Sequence, residues 1–223
     1  MNKIFLGIIT SFLIFNIFLF PDKGVTTENS TFYSIIEAAA GEIIETSFKA
    51  VYYVEQSSEE EIRKTAEYFQ GNEILLKKDE NNIHLLNIIK DEMLIEIKGV
   101  DLKDKSQITI KTVVYGHGKK LGELEQYIQD YTKNKEVDAK YYKYMKGKLK
   151  HERAPKALES VNSALEKKGF HSIENLEIDN GYTSIAILNN HLFNDEIKIN
   201  YSLCSYETST YIFIGTPIID EIY

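Results

Sequence analysis

The sequence predicts an α+β fold in which helices cover one face of an antiparallel sheet. Three observations lead there. Several short runs alternate apolar and polar residues: Met93, Ile95 and Ile97 interleave with Leu94, Glu96 and Lys98, and Ile108 and Ile110 with Gln107, Thr109 and Lys111. Period two with one polar face marks a strand buried on one side and wet on the other. Other stretches carry a single apolar face of period 3.6, the mark of a helix lying on a core. Finally, the order of elements begins again about 100 residues along the chain, so the expected unit is β-α-β-β-β-β, present twice.

Taken in order, residues 31–47 place Phe32, Ile35, Ile36, Ala39 and Ile43 on one helical face, with Ser30 or Thr31 as cap. Residues 49–55, rich in β-branched and aromatic side chains, predict a strand. Ser58 to Glu61 form a capping box that opens a helix carrying Ile62, Ala66 and Phe69, with Gly71 past its end. Strands are expected at 73–78, 83–89, 92–98 and 106–115, then a helix at 119–133 with Leu121, Leu124, Ile128 and Tyr131 in register. The second round runs strand 137–149, helix 155–168 and strands 173–179, 182–188, 196–205 and 210–218. Pro155 suits the first turn of that helix, Leu158, Val161 and Leu165 share its face, and Gly169 ends it. Gly71 answers Gly169, and Leu85-Leu86-Asn87 answers Ile187-Leu188-Asn189. The expected halves are residues 30–134, which include the flanking helices, and 135–223. The helices are expected on one side of a curved sheet, with the other side open to water.

Composition bounds the function. A chain of 223 residues with 43% hydrophobic and 27% charged side chains is an ordinary globular protein. It is long enough to bury about 70% of its unfolded surface, so it needs no staple. Cys204 is the only cysteine, which excludes an internal disulfide and any cysteine-built metal centre. The net charge of −8 argues against nucleic-acid binding, whose affinity comes mainly from neutralising phosphates. No cofactor is expected. Ahead of the fold, Ile4 to Phe20 form an uncharged apolar run behind Lys3. Residues 1–21 therefore predict a signal peptide or an uncleaved N-terminal anchor, which puts the rest of the chain outside the cytoplasmic membrane.

The C-terminal residues from Tyr211 to Tyr223, above all Gly215-Thr216-Pro217, resemble the C-terminal signature of the YwmB family, exported proteins of endospore-forming Gram-positive bacteria. This chain ends Glu-Ile-Tyr where that family's pattern has Glu-Tyr. The resemblance implies a fold similar to the TATA-box-binding protein, a duplicated β-α-β4 unit with helices on the convex side, and an extracytoplasmic address. It implies no catalytic residue, because the activity of the family is not established, and a likeness of shape carries no DNA-binding function.

The most unusual stretch is 133–156, where eight lysines and Arg153 stand against Glu136, Asp138 and Glu152. That is a net +6, leaving −14 for the remainder. In the strand, Val137, Ala139, Tyr141, Met145 and Leu149 share one side, with Lys143 among them as an exception expected to snorkel. Lys140, Tyr142, Tyr144, Lys146 and Lys148, followed by Lys150, share the other. Ammonium groups interleaved with flat rings suit an anionic polymer: a wall teichoic acid, a glycan or an anionic lipid surface. The bland alternative is a solvated, lysine-rich strand that keeps a sheet edge from aggregating. The remaining motifs are weaker. Tyr115-Gly116-His117-Gly118-Lys119-Lys120-Leu121-Gly122 mimics a dinucleotide loop, but the strand before it has a polar face that a Rossmann strand lacks. The five histidines (84, 117, 151, 171, 191) show no zinc spacing, and no G-x-S-x-G elbow supports a triad. The sequence thus favours a non-enzymatic envelope protein that binds an anionic wall component or an envelope partner through the open sheet. A peptidoglycan-acting enzyme and a structural docking module are the alternatives.

Overall fold

The computed structural model describes residues 23–78, 83–116, 121–150, 153–190 and 195–219. In chain order the elements are α1 (Lys23–Ala38), β1 (Gly41–Val54), α2 (Ser58–Phe69), β2 (Asn72–Lys78), β3 (Ile83–Lys90), β4 (Met93–Asp101) and β5 (Ser106–Tyr115). They continue with α3 (Leu121–Asn134), β6 (Lys140–Leu149), α4 (Ala154–Lys167), β7 (Ser172–Ile178), β8 (Gly181–Asn190), β9 (Asp195–Ser205) and β10 (Thr210–Thr216). The ten strands form one sheet in the order β2-β3-β4-β5-β1-β6-β10-β9-β8-β7. Every neighbouring pair is antiparallel. Read from its centre outward, the sheet has the same pattern on both sides: the first strand of a set of five, then its last, then back in order to the second. The protein is α+β, and its described residues form one open antiparallel sheet with four helices on one face.

Strand periodicity maps onto the core as expected. Met93, Ile95, Ile97, Ile108, Ile110, Ile199, Tyr201 and Leu203 are buried under the helices, and their polar alternates face the other way. Full burial of each large apolar side chain contributes about 1.5–3 kcal/mol. Leu121, Leu124, Ile128 and Tyr131 form the buried face of α3, and Val161 and Leu165 that of α4. The connecting helices cross over: α3, which leads into β6, packs on β1 and β5, whereas α1, which leads into β1, packs against α4. Ile36 of α1 reaches across to Gly147 of β6, beside Ile212 of β10.

Two expectations are corrected. The first helix occupies Lys23–Ala38, not 31–47. Ala40 breaks it with φ of 50°, and Gly41–Val54 is strand. The β-branched run Ile43-Ile44 lies beside β6, and there a pleated surface suits these side chains better than a helix. Ile43 still points at the core, so its apolar period was real while its element was different. The second correction is a cap. Ser57, not Ser58, caps α2, accepting a hydrogen bond from Glu60 N at 3.4 Å, and Glu61 is fully buried. Gly71 and Gly169 also differ in role. Gly169 follows α4 with φ of 91°, the left-handed turn that glycine allows. At the end of α2 it is Gln70 that takes positive φ, and Gly71 is needed because a Cβ there would stand 2.6 Å from Ile88.

Candidate functional site: the open face of the central strands

β6 lies between β1 and β10 at the middle of the sheet. This overturns the edge-guarding explanation of its lysines, since the edges are β2 and β7. Register then gives the open face row by row. Lys140 stands opposite Val51, Tyr142 opposite Lys49, Tyr144 between Ser47 and Gly215, Lys146 between Glu45 and Phe213, and Lys148 between Glu42 and Tyr211. Beyond β1, Lys111 of β5 stands opposite Lys49, and Glu96 of β4 opposite Lys111. Among the described strand side chains of this face, lysines 49, 98, 111, 140, 146, 148 and 198 outnumber glutamates 42, 45, 96 and 174. In a chain of net −8, the described strand side chains of this face thus carry a positive balance.

Local contacts explain how the lysines are tolerated together. Like charges directly across a strand pair cost up to about 1 kcal/mol. Lys111 is offset by Glu96 at 4.0 Å, and Lys49 lies over the Tyr142 ring, 4.4 Å from its centroid. Lys146 sits over Tyr211 and Phe213 at 5.1 and 5.2 Å. Such contacts contribute about 0.5–1 kcal/mol each at exposed sites. Lys140 and Lys148 are exposed, and Tyr142 and Lys146 half-buried. Four of the five residues singled out in the sequence thus share an accessible surface.

The fifth does not. Tyr144 retains 6% of its surface and belongs to a small cluster with Cys204 and Phe213, against which Ile178, Tyr211 and Ile219 pack. Its ring points to the expected side but is covered. Lys143 is the other correction. It does not snorkel; it is buried under the helices, with Nζ 2.8 Å from Glu28 Oε2 of α1 and 3.1 Å from Glu125 Oε1 of α3. Glu125 also accepts from Asn29 and Gln129 at 3.1 Å each. Sequence reasoning missed Lys49 and Lys111 as neighbours, because strand partnership is set by sheet order. Their outward parity, alternating with Ala50 and Ile110, was the available signal.

Elsewhere two polar clusters lie on the helix side. Tyr52 Oη donates to Glu61 Oε1 at 2.9 Å, and Lys135 Nζ lies 2.9 Å from the same oxygen. Burial drives the Tyr52 hydroxyl far above its usual range. At the sheet's rim, burial works to raise the Asp101 carboxyl. Hydrogen bonds from Ser58 N at 2.7 Å and Ser106 Oγ at 2.9 Å outweigh it and hold the group below its ordinary value. His84 Nε2 is 3.9 Å from Asp101 Oδ2. Although Ser58, His84 and Asp101 come together, Ser58 is fully buried, so its hydroxyl offers no surface to a substrate. Among the described residues no group of three His, Cys, Asp or Glu is arranged to hold a metal, and no helix is long and apolar enough to cross a membrane. Residues 1–22, the glycine loop at 117–120, and His117, His151 and His191 lie outside the described residues, as does 220–223 of the C-terminal signature.

No protein-family model matches the chain, and a search of curated proteins finds no match.

Proposed function

We propose that the protein is a non-enzymatic, exported cell-envelope protein of the YwmB kind. In this reading it is built on a duplicated scaffold similar to the TATA-box-binding protein, and it holds an anionic wall polymer on its open sheet face. The duplication is supported by the recurrence of helix, strand, helix and four strands, and by the strand order that repeats outward from β1 and β6. The export address rests on the apolar run from Ile4 to Phe20. The observation that carries the function is the position of β6. Lys140, Lys146 and Lys148 stand at the sheet's centre, with Lys49 and Lys111 beside them across the strands. A strand flanked on both sides needs no lysines to discourage edge pairing, so edge protection does not account for their concentration, and a bound anion would. Exposed ammonium groups spaced along an extended strand suit a chain of phosphates or carboxylates. Tyr142, half-exposed beside them, offers an apolar ring to a sugar or polyol backbone. Nucleic acid fits poorly, on net charge and on compartment.

Replacing Lys140, Lys146 and Lys148 together by Glu tests the reading through cosedimentation with purified Gram-positive cell wall. Binding by the parent protein is expected to fall steeply between about 0.05 and 0.5 M salt, and the triple variant to bind at least about tenfold more weakly at low salt. Undiminished binding by the variant would contradict the proposal. Salt-insensitive capture of an envelope protein would favour the docking-module alternative, and release of muropeptides by the purified protein would favour an enzyme.

A further inference from the structure

One short segment lies where such a polymer would have to pass. β10 ends at Thr216, and residues 217–219 fold back over Gly215 on the open face. Gly215 is buried beneath them: a Cβ at that position would stand 2.7 Å from the Ile218 carbonyl oxygen and 3.0 Å from Ile219 Cα. Asn200 Nδ2 of β9 donates to the Pro217 carbonyl, and Thr216 Oγ1 donates to the Lys198 carbonyl at 2.7 Å. Ile219 packs against the cluster of Tyr144, Phe213 and Cys204, while Ile218 remains 53% exposed. Gly215 pairs with Tyr144 on one side and Asn200 on the other, so the segment sits over β10 in the row of Tyr144 and Asn200, with Ile219 against the cluster that contains Tyr144.

That row divides the basic surface. Along β6, Lys140 and Tyr142 fall on one side of Tyr144, and Lys146 and Lys148 on the other. Same-face neighbours on a strand are about 6.8 Å apart, so an extended polymer that touches both groups must run over Tyr144. The segment over Gly215, next to Tyr144, is anchored by the Asn200 hydrogen bond and by Ile219, with Ile218 turned to solvent. We propose that residues 217–219 form a strap that competes with the ligand for the middle of β6, so that binding along the whole strand requires the strap to lift. This inference rests on the wall-polymer reading above and adds a regulatory contact to the same site.

Gly215→Ala provides a wedge. Its φ lies outside the left-handed region, so alanine fits the strand, and the atoms nearest the added methyl group are strap backbone. The reporter is Ile219→Cys in a Cys204→Ala background, read by the rate of maleimide alkylation. The seated strap predicts slow alkylation, at least about tenfold faster in the presence of Gly215→Ala or of soluble wall teichoic acid. The Gly215→Ala protein is also expected to sediment with purified wall at several-fold lower concentration, and Ile219→Asp, which alters no strand residue, to do the same. Alkylation of the reporter thiol at the rate found in urea overturns the strap outright. Faster alkylation with unchanged wall binding overturns the competition while leaving wall binding intact. Failure of parent and variants alike to sediment overturns the wall reading and the strap's role with it.

Discussion

Lys143 and Lys146 lie three residues apart on the same strand and meet opposite fates. Lys143 is enclosed between α1 and α3 by two carboxylates, whereas Lys146 rests on two aromatic rings at the solvent face. Tyr52 and Tyr53 on β1 repeat the contrast. The Tyr52 hydroxyl is buried with Glu61, while Tyr53 is 46% exposed, with Lys105 over its ring at 3.9 Å. On the helix side the buried charges of Lys143 and Glu61 are each paired with an opposite charge, because an unpaired buried charge costs several kcal/mol. The open side leaves its lysines at the solvent boundary, Lys140 and Lys148 exposed and Lys146 half-buried on its rings.

Breaking the comparison at Lys143 should have the largest effect. Lys143→Met leaves Glu125 and Glu28 without their cation and is expected to cost about 3–5 kcal/mol in denaturant unfolding. Lys146→Met should cost under about 1 kcal/mol. Adding Glu125→Gln to Lys143→Met should recover part of the loss; equal losses at positions 143 and 146 would contradict the sidedness. Next, Tyr52→Phe removes a buried hydrogen bond to a carboxylate and should cost about 2 kcal/mol, whereas Tyr53→Phe should fall within about 0.5 kcal/mol of the parent.

Asp101 sharpens the comparison with a pH signature. Its folded pKa is depressed, so its contribution is fully present above the unfolded value of about 3.9. That contribution disappears as the pH falls through the lower folded value. Asp101→Asn should therefore destabilise by about 1 kcal/mol at pH 7, with the difference from the parent fading on acidification below about pH 4. The side chain's 35% exposure keeps the figure small. The weakest effect belongs to Lys64, whose ion pair with Glu60 at 2.6 Å is solvent-exposed. Lys64→Ala should leave the thermal midpoint unchanged within error.

The order of elements and the buried faces were legible in the sequence because period and turn chemistry are local. The 93–97 and 197–203 alternations and the register of α3 needed no tertiary information. What failed was the handover from α1 to β1. There Phe32, Ile35, Ile36, Ala39 and Ile43 keep helical spacing across a turn at Ala40, and sheet pairing overrode the apparent period. Lys143 was legible as an oddity, but its solution was not: Glu28 and Glu125 lie far from it in sequence, and only the packing of α1 and α3 brings them to it. Tyr144 was assigned to the correct face for the correct reason. Its cover comes with the cluster of Cys204 and Phe213, against which Ile178, Tyr211 and Ile219 pack, contacts set by sheet order and by the turn after β10 and not by local period.

The central claim is that β6 offers a ligand-binding surface on its open side alone. Heteronuclear NMR of the protein titrated with soluble wall teichoic acid tests it most directly. The account predicts shift changes at Lys140, Tyr142, Lys146 and Lys148 and at Lys49 and Lys111 across the strands, with Lys143 and the residues of α2 and α4 unmoved. Changes concentrated on the helices, or none at low salt, would contradict it.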